Sequence, residues 1–365
     1  MNIYSYIDKY GCYTFDEVPF NEVDNAVFAA LSYINFKGIV SPNRYSPITI
    51  REAGRIYFEM YPGKRKHMLA IKNAIKMLRY MKDTKRYGEL RLYNYVYEEG
   101  EEQQFSALTI EINPKLVYVS FEGTDHLISG WKEDFMMSYM FPIQSQRRAI
   151  DYVNKRFFFR RKKIILGGHS KGGNLAIVAG MYANFLVRDK IIQIYNNDGP
   201  GLLEKEFNSK YYKNIDTKLI HIVPNYSIIG LLLWHKDNYQ VVRSLKKNVW
   251  SHDMFTWVVR DKSFMRTELD SFSNVLDDSI IAWLNHYDID QREKFVSSMF
   301  DIFERANIKS LMDIMENKKL ILRLITESKE VDASDRKMLR EFIGMLFKCF
   351  KDVKIEELKS LIDKK

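Results

Sequence analysis

One stretch limits the fold more than any other: KKIILGGHSKGGNLAIVAGMYANFL, residues 162–186. It begins as a short apolar strand, bends through glycines around a single serine, and resumes as an apolar helix. Strand–turn–helix units of this kind build sheets with parallel strands, because a parallel neighbour can be reached only through a long crossover. The same alternation of period recurs along the chain. Strands are expected at 92–97, 107–112, 117–121, 164–167, 191–196, 218–223 and 239–244, and helices at 21–31, 49–61, 64–86, 144–159 and 173–187. This order predicts an α/β fold: an open, mostly parallel sheet with helices on both faces. The first two of these strands, joined by a polar turn, read as an antiparallel edge.

The pattern changes partway along. All eight prolines lie at or before Pro224, and beyond Gly230 the only glycine is Gly344. Residues 261–365 are therefore expected to form a helical C-terminal region behind an α/β domain of residues 1–260. Phe295, Val296, Met299 and Phe303 mark one apolar stripe, and Met338, Leu339, Phe342, Ile343, Leu346 and Phe350 another. With 46% apolar and 28% charged residues, long disorder is excluded. Cys12 and Cys349 sit at opposite ends with no disulfide framework, and no His/Cys/carboxylate cluster has ligand spacing. No metal or cofactor is expected. The opening MNIYSYIDKYG lacks the apolar segment of an export signal, so the expected setting is cytoplasmic.

The net charge of +9 raises the question of an anionic partner. Residues 64–86 carry nine Lys/Arg and one acid, Asp83. Met68, Ile71, Ile75 and Leu78 recur at helical spacing, with Lys72, Lys76, Arg79 and Arg86 on another face. Such a helix either docks on the core with a solvated basic face or lies on an anionic membrane, at its inner surface. No RNA-binding or zinc-finger signature accompanies it, so no nucleic-acid partner is expected.

Gly168-His169-Ser170-Lys171-Gly172 fits G-x-S-x-G, the nucleophile elbow. The turn exposes the Ser170 hydroxyl at the carboxyl end of a strand, where open α/β sheets bind ligands. Its glycines are required because a Cβ at either position would meet the neighbouring strand or helix. A phosphate-binding turn is the competing explanation. The Gly-x4-Gly-Lys-Ser/Thr frame is absent, however, and no G-x-G-x-x-G falls in phase.

A second segment, LVYVSFEGTDHLISGWKEDF (116–135), ends a strand at Phe-Glu-Gly-Thr. Together with GGHSKGGNLA and SHDMFTW, it resembles class 3 lipases of the α/β-hydrolase superfamily, and more closely a bacterial branch of such lipase-like proteins. The resemblance spans roughly residues 20–260. It implies an α/β-hydrolase-type sheet, Ser170 as nucleophile, and an oxyanion hole from the backbone N–H groups of Thr124 and Lys171. Glu122 stands where the family usually has arginine. The Lys171 side chain reads either as a solvated charge or as a preference for anionic substrates.

Chain order in that fold is serine, acid, histidine. Among seven histidines, His252 follows the strand at 239–244 and is the expected base, ahead of His235. The family's acid follows the strand matching 218–223, where this sequence has Asn225 and Ser227 and no carboxylate. Asp198 in YNNDGPG, one strand earlier, is the candidate acid, although that segment is also turn chemistry throughout. Asp237 and Asp253 are outsiders. The apolar run 228–234 reads as an acyl-pocket wall, a lid or a buried segment. The function expected is a serine esterase or lipase acting on a small-molecule or lipid ester. A non-catalytic binding module and a membrane-surface protein are the alternatives.

Overall fold

The computed structural model describes residues 1–62, 69–100, 104–124, 128–159 and 161–306. The stripe from Met338 to Phe350, together with Met68 and His126, lies outside them. Eight strands form one sheet whose spatial order equals their chain order: β1 (Ile48–Thr49), β2 (Arg91–Glu99), β3 (Gln104–Asn113), β4 (Leu116–Phe121), β5 (Lys163–His169), β6 (Ile191–Asn197), β7 (Leu219–Pro224) and β8 (Gln240–Val242). Strands β1 to β4 are antiparallel, and β4 to β8 are parallel. The expected strands thus appear with ends shifted by a few residues, and β8 is shorter than the expected 239–244.

Strand order decides which face each helix covers. When parallel strands are added in one direction, right-handed crossovers all fall on one side. Helices α6 (Gln144–Phe157) and α7 (Lys171–Met181) accordingly pack together against Val117, Val119, Phe121, Ile164, Leu166 and Ile194. The opposite face, with Tyr118, Ile165 and Tyr195, needs cover from elsewhere. It comes from the segment before β2: α1 (Ile3–Tyr10), α2 (Glu22–Leu31), α3 (Ile50–Met60) and α4 (Leu69–Met81). Helix α2 begins with an Asn21/Asp24 capping box and is buried from Val23 onward.

Helix α4 docks on this core through Ala74, Met77, Leu78 and Met81, with Ile71 and Ile75 at its margin. Its inner face is therefore rotated from the expected stripe. Arg86 corrects the expectation more strongly, since it lies in the interior and not on the basic face. Its guanidinium binds both oxygens of buried Asp24, at 2.8 and 2.6 Å, and covers the Phe15 ring. The fork donates further to the carbonyls of Val18 and Thr14. A buried pair with this many partners ties the loop after α4 to α2.

A helix α5 (Ile128–Met136) follows β4. Three one-turn helices, α8 (Phe185–Arg188), α9 (Glu204–Phe207) and α10 (Lys210–Lys213), line the connections on either side of β6, and a small ribbon pairs β9 (Val259–Arg260) with β10 (Ser263–Phe264). Helices α11 (Ser271–His286) and α12 (Ile289–Arg305) complete the described chain. The α12 stripe of Phe295, Val296, Met299 and Phe303 packs on Trp131 and Phe135 of α5. Leu276, Ile280 and Leu284 of α11 pack with Leu232, Leu233 and Trp234, so α11 covers the apolar run 228–234. No described helix is long and apolar enough to cross a membrane.

Candidate active site

Ser170 follows β5 and caps α7 with φ 58° and ψ −133°, a conformation L-residues rarely adopt. The glycines on either side make that bend feasible. A Cβ on Gly172 would lie 2.2 Å from the Phe121 carbonyl oxygen, and one on Gly168 would lie 2.3 Å from the Gly172 backbone. Strand, elbow and helix thus touch backbone to backbone. Gly172→Ala is expected to destabilise the protein by about 3 kcal/mol or more, because neither contact is a movable side chain. Thermal melting measures this, and a variant melting with the wild type would contradict it.

Buried polar side chains brace the elbow from below. Asn197 Nδ2 donates to the Gly168 carbonyl, and Asn25 of α2 bonds both Asn197 and the Tyr118 hydroxyl. Gly123 closes on the elbow from the side, since a Cβ there would stand 3.1 Å from the Ser170 Cβ. Thr124 follows Gly123. Lys171 opens α7, so its N–H is one of the helix's orphan donors. Neither this N–H nor that of Thr124 meets an acceptor among the described residues.

Asp198 and His252 meet as a pair. His252 Nδ1 lies 2.7 Å from Asp198 Oδ2, with the carboxylate side chain 1% exposed and the imidazole 22%. Asp198 Oδ1 accepts from Ser227 Oγ at 2.5 Å and from the Gly230 N–H at 3.1 Å. The segment after β7 therefore lacks a carboxylate of its own but supplies two donors to the one borne by the turn after β6. Asn225 is occupied elsewhere, its Oδ1 accepting from the Ser244 N–H. His235 faces Asp277 of α11 at 3.6 Å, and Asp253 accepts from Asn73 of α4. Among the described residues Ser170 Oγ makes no hydrogen bond, so the serine and the imidazole are not joined in this structure.

His169 is buried, its ring packed against that of His252. Its Nε2 lies 2.7 Å from the His252 carbonyl oxygen and its Nδ1 lies 2.7 Å from the Tyr33 hydroxyl. A carbonyl can only accept, so Nε2 carries the proton and Nδ1 accepts from Tyr33. Burial first, then the charge of neighbouring His252, holds the His169 pKa well below its ordinary range. A neutral ring of fixed tautomer thereby anchors the backbone of the His252 loop. Sequence reasoning assigned it no role, and Tyr33 gave no signal at all.

Behind Thr124 and Lys171 lies a buried charge cluster. The Lys171 side chain, 1% exposed, pairs with Glu133 Oε2 at 3.0 Å and donates to the Gln104 carbonyl. Burial opposes its charge, but Glu133 and Asp134 outweigh burial and raise its pKa. This overturns both readings of that side chain: it is neither solvated nor free to attract an anionic substrate. Thr124 Oγ1 donates to Asp134 Oδ2 at 2.6 Å, which locks the Thr124 rotamer. The GWKEDF run of α5 supplies both acids. Its two adjacent carboxylates were visible in the sequence, but their burial was not.

Burial raises the Asp134 carboxyl from 3.8 to about 7, against the pull of Lys171 and the Thr124 hydrogen bond. Between roughly pH 4 and 7 the folded chain then holds a proton that the unfolded chain has released, so this group's contribution to stability falls as pH rises. The stability of wild type minus that of Asp134→Asn should decrease by on the order of 1–3 kcal/mol from pH 4.5 to 7.5. Denaturant melts at the two pH values test this, and a constant difference would count against it.

The fold is a mostly parallel α/β sheet that carries a glycine-flanked serine turn at its rim and a part-buried Asp–His pair. More specifically, the chain belongs to the Mbeg1-like family, whose model matches residues 81–301. Among solved structures it is similar to M37 lipase, at 16% identity over 72% of this chain and 79% of that one, with a TM-score of 0.38. The lipase from Rhizopus microsporus var. chinensis gives 16% identity over 74% and 84%, with a TM-score of 0.37. The Rhizomucor miehei lipase propeptide complex gives 11% over 74% and 78%, with a TM-score of 0.37. No curated protein matches the chain.

Proposed function

We propose that this chain is a serine hydrolase of esterase or lipase type, cleaving a carboxylic ester through an acyl-enzyme on Ser170. The carrying observation is the 2.7 Å Asp198–His252 bond beside a strained, glycine-flanked serine. Asp198 keeps the His252 proton on Nδ1, which leaves Nε2 as the base. His252 Nε2 takes the Ser170 proton as Oγ attacks the ester carbonyl. The N–H groups of Thr124 and Lys171 hold the oxyanion, a contribution of about 3 kcal/mol per donor. The alkoxide leaves with the His252 proton. Water, deprotonated by the same nitrogen, then attacks the acyl carbon and returns Ser170. A small-molecule or lipid ester fits this chemistry, and the oxyanion donors are backbone groups indifferent to the head group.

One observation favours a second reading, a binding module without catalysis: no hydrogen bond joins Ser170 to His252 among the described residues. Imidazole–hydroxyl bonds often tighten only when substrate is bound, so the open arrangement is compatible with an enzyme. Reaction of the folded protein with a fluorophosphonate separates the two readings. A hydrolase labels at Ser170, and the Ser170→Ala variant does not. A folded wild type that stays unlabelled at Ser170 leaves the binding module.

A further inference from the structure

We propose that the surface formed by residues 243–250 and the outer stripe of α4 docks on an anionic lipid bilayer, independently of the ester-hydrolase reading. Residues 243–250, RSLKKNVW, contain three bases and no acid. Leu245 is 67% exposed and Trp250 42%, and Arg243, Lys246 and Lys247 are exposed around them. These side chains are held outward by a braced backbone. Leu245 N–H donates to the Thr256 carbonyl, Ser244 Oγ bonds Thr256 Oγ1, and Ser251 Oγ donates to the Tyr226 carbonyl.

Helix α4 extends this surface. Leu69, Lys72, Asn73, Lys76 and Tyr80 fall at the spacing of one helical stripe. Asn73 Nδ2 donates to Asp253 Oδ2 at 2.7 Å, and the Tyr4 ring, under Lys76, stacks on Phe255. The stripe is thereby joined to the segment that bears Trp250 and His252. Its Leu69, Lys72, Lys76 and Tyr80 are exposed. Leucine and tryptophan tips set among lysines suit the boundary between headgroups and acyl chains, where apolar insertion and attraction to anionic lipid act together. Nucleic acid would recruit the bases but leave Leu245 without a use.

Co-sedimentation of the full chain with sucrose-loaded vesicles tests the proposal. Vesicles of phosphatidylcholine with phosphatidylglycerol should retain the protein, pure phosphatidylcholine should retain little, and added salt should weaken binding. Leu245→Ser with Trp250→Ser should lower partitioning about tenfold or more, as should Lys246→Ser with Lys247→Ser, with melting temperatures unchanged. Ser170→Ala should bind like the wild type, so failure of the hydrolase reading leaves this result intact. No binding to anionic vesicles, wild-type binding by both double variants, or tighter binding to a single-stranded oligonucleotide lost in the same variants would each overturn it.

Discussion

Ser170→Gly is expected to remove ester hydrolysis while making the protein more stable. Losing the nucleophile should lower kcat by roughly 10^4- to 10^6-fold. The backbone at this residue, φ 58° and ψ −133°, costs a side-chain-bearing residue on the order of 1–3 kcal/mol, whereas glycine adopts it freely. Glycine also gives the unfolded chain more freedom, which offsets part of that gain. The net expectation is a melting temperature roughly 1–4 °C above wild type. Ser170→Ala is the control, since it loses the hydroxyl but keeps the Cβ and hence the strain. It should be equally inactive without the rise in stability. If the glycine variant melts no higher than the alanine variant, the bend is unstrained. If either one hydrolyses esters at the wild-type rate, Ser170 is not the nucleophile.

The second large effect concerns Asp198→Asn. The substitution is nearly isosteric, and the amide oxygen can still accept from Ser227 and the Gly230 N–H, so the fold should tolerate it. The amide nitrogen then faces His252 Nδ1 and donates to it, which moves the imidazole proton to Nε2, the atom that must accept from Ser170. A fall in kcat of about 10^4-fold with little change in KM is expected. Ser227→Ala removes one donor to the carboxylate and leaves the tautomer intact, so its loss should be far smaller. Activity of Asp198→Asn within tenfold of wild type would mean that the acid is supplied elsewhere or that no acid is needed.

How much of this could be read in the sequence depends on how local each signal is. The strands and the elbow were legible because period two, period 3.6 and paired glycines are written within a few residues. Asp198 was only a candidate: in YNNDGPG, its turn chemistry looks the same whether or not an imidazole lies opposite. Ser227 and Gly230, its partners, are separated from it by β7. Arg86 and Lys171 were misread for one reason. A buried cation and a solvated one are spelled alike, and their partners Asp24 and Glu133 lie 62 and 38 residues away. The short helix α1 and the burial of α5 were likewise settled by packing and not by local periodicity.

The order of the strands carries one last implication. Because the parallel run never doubles back, the wall that holds Tyr118, Ile165 and Tyr195 has no crossover of its own and is roofed by helices from the first eighty or so residues. The stretch shared with the family begins only at residue 81. The unit that defines kinship and the unit that covers both faces of the sheet are thus of different lengths, and trimming this protein to residues 81–301 would strip the roof from an oily wall.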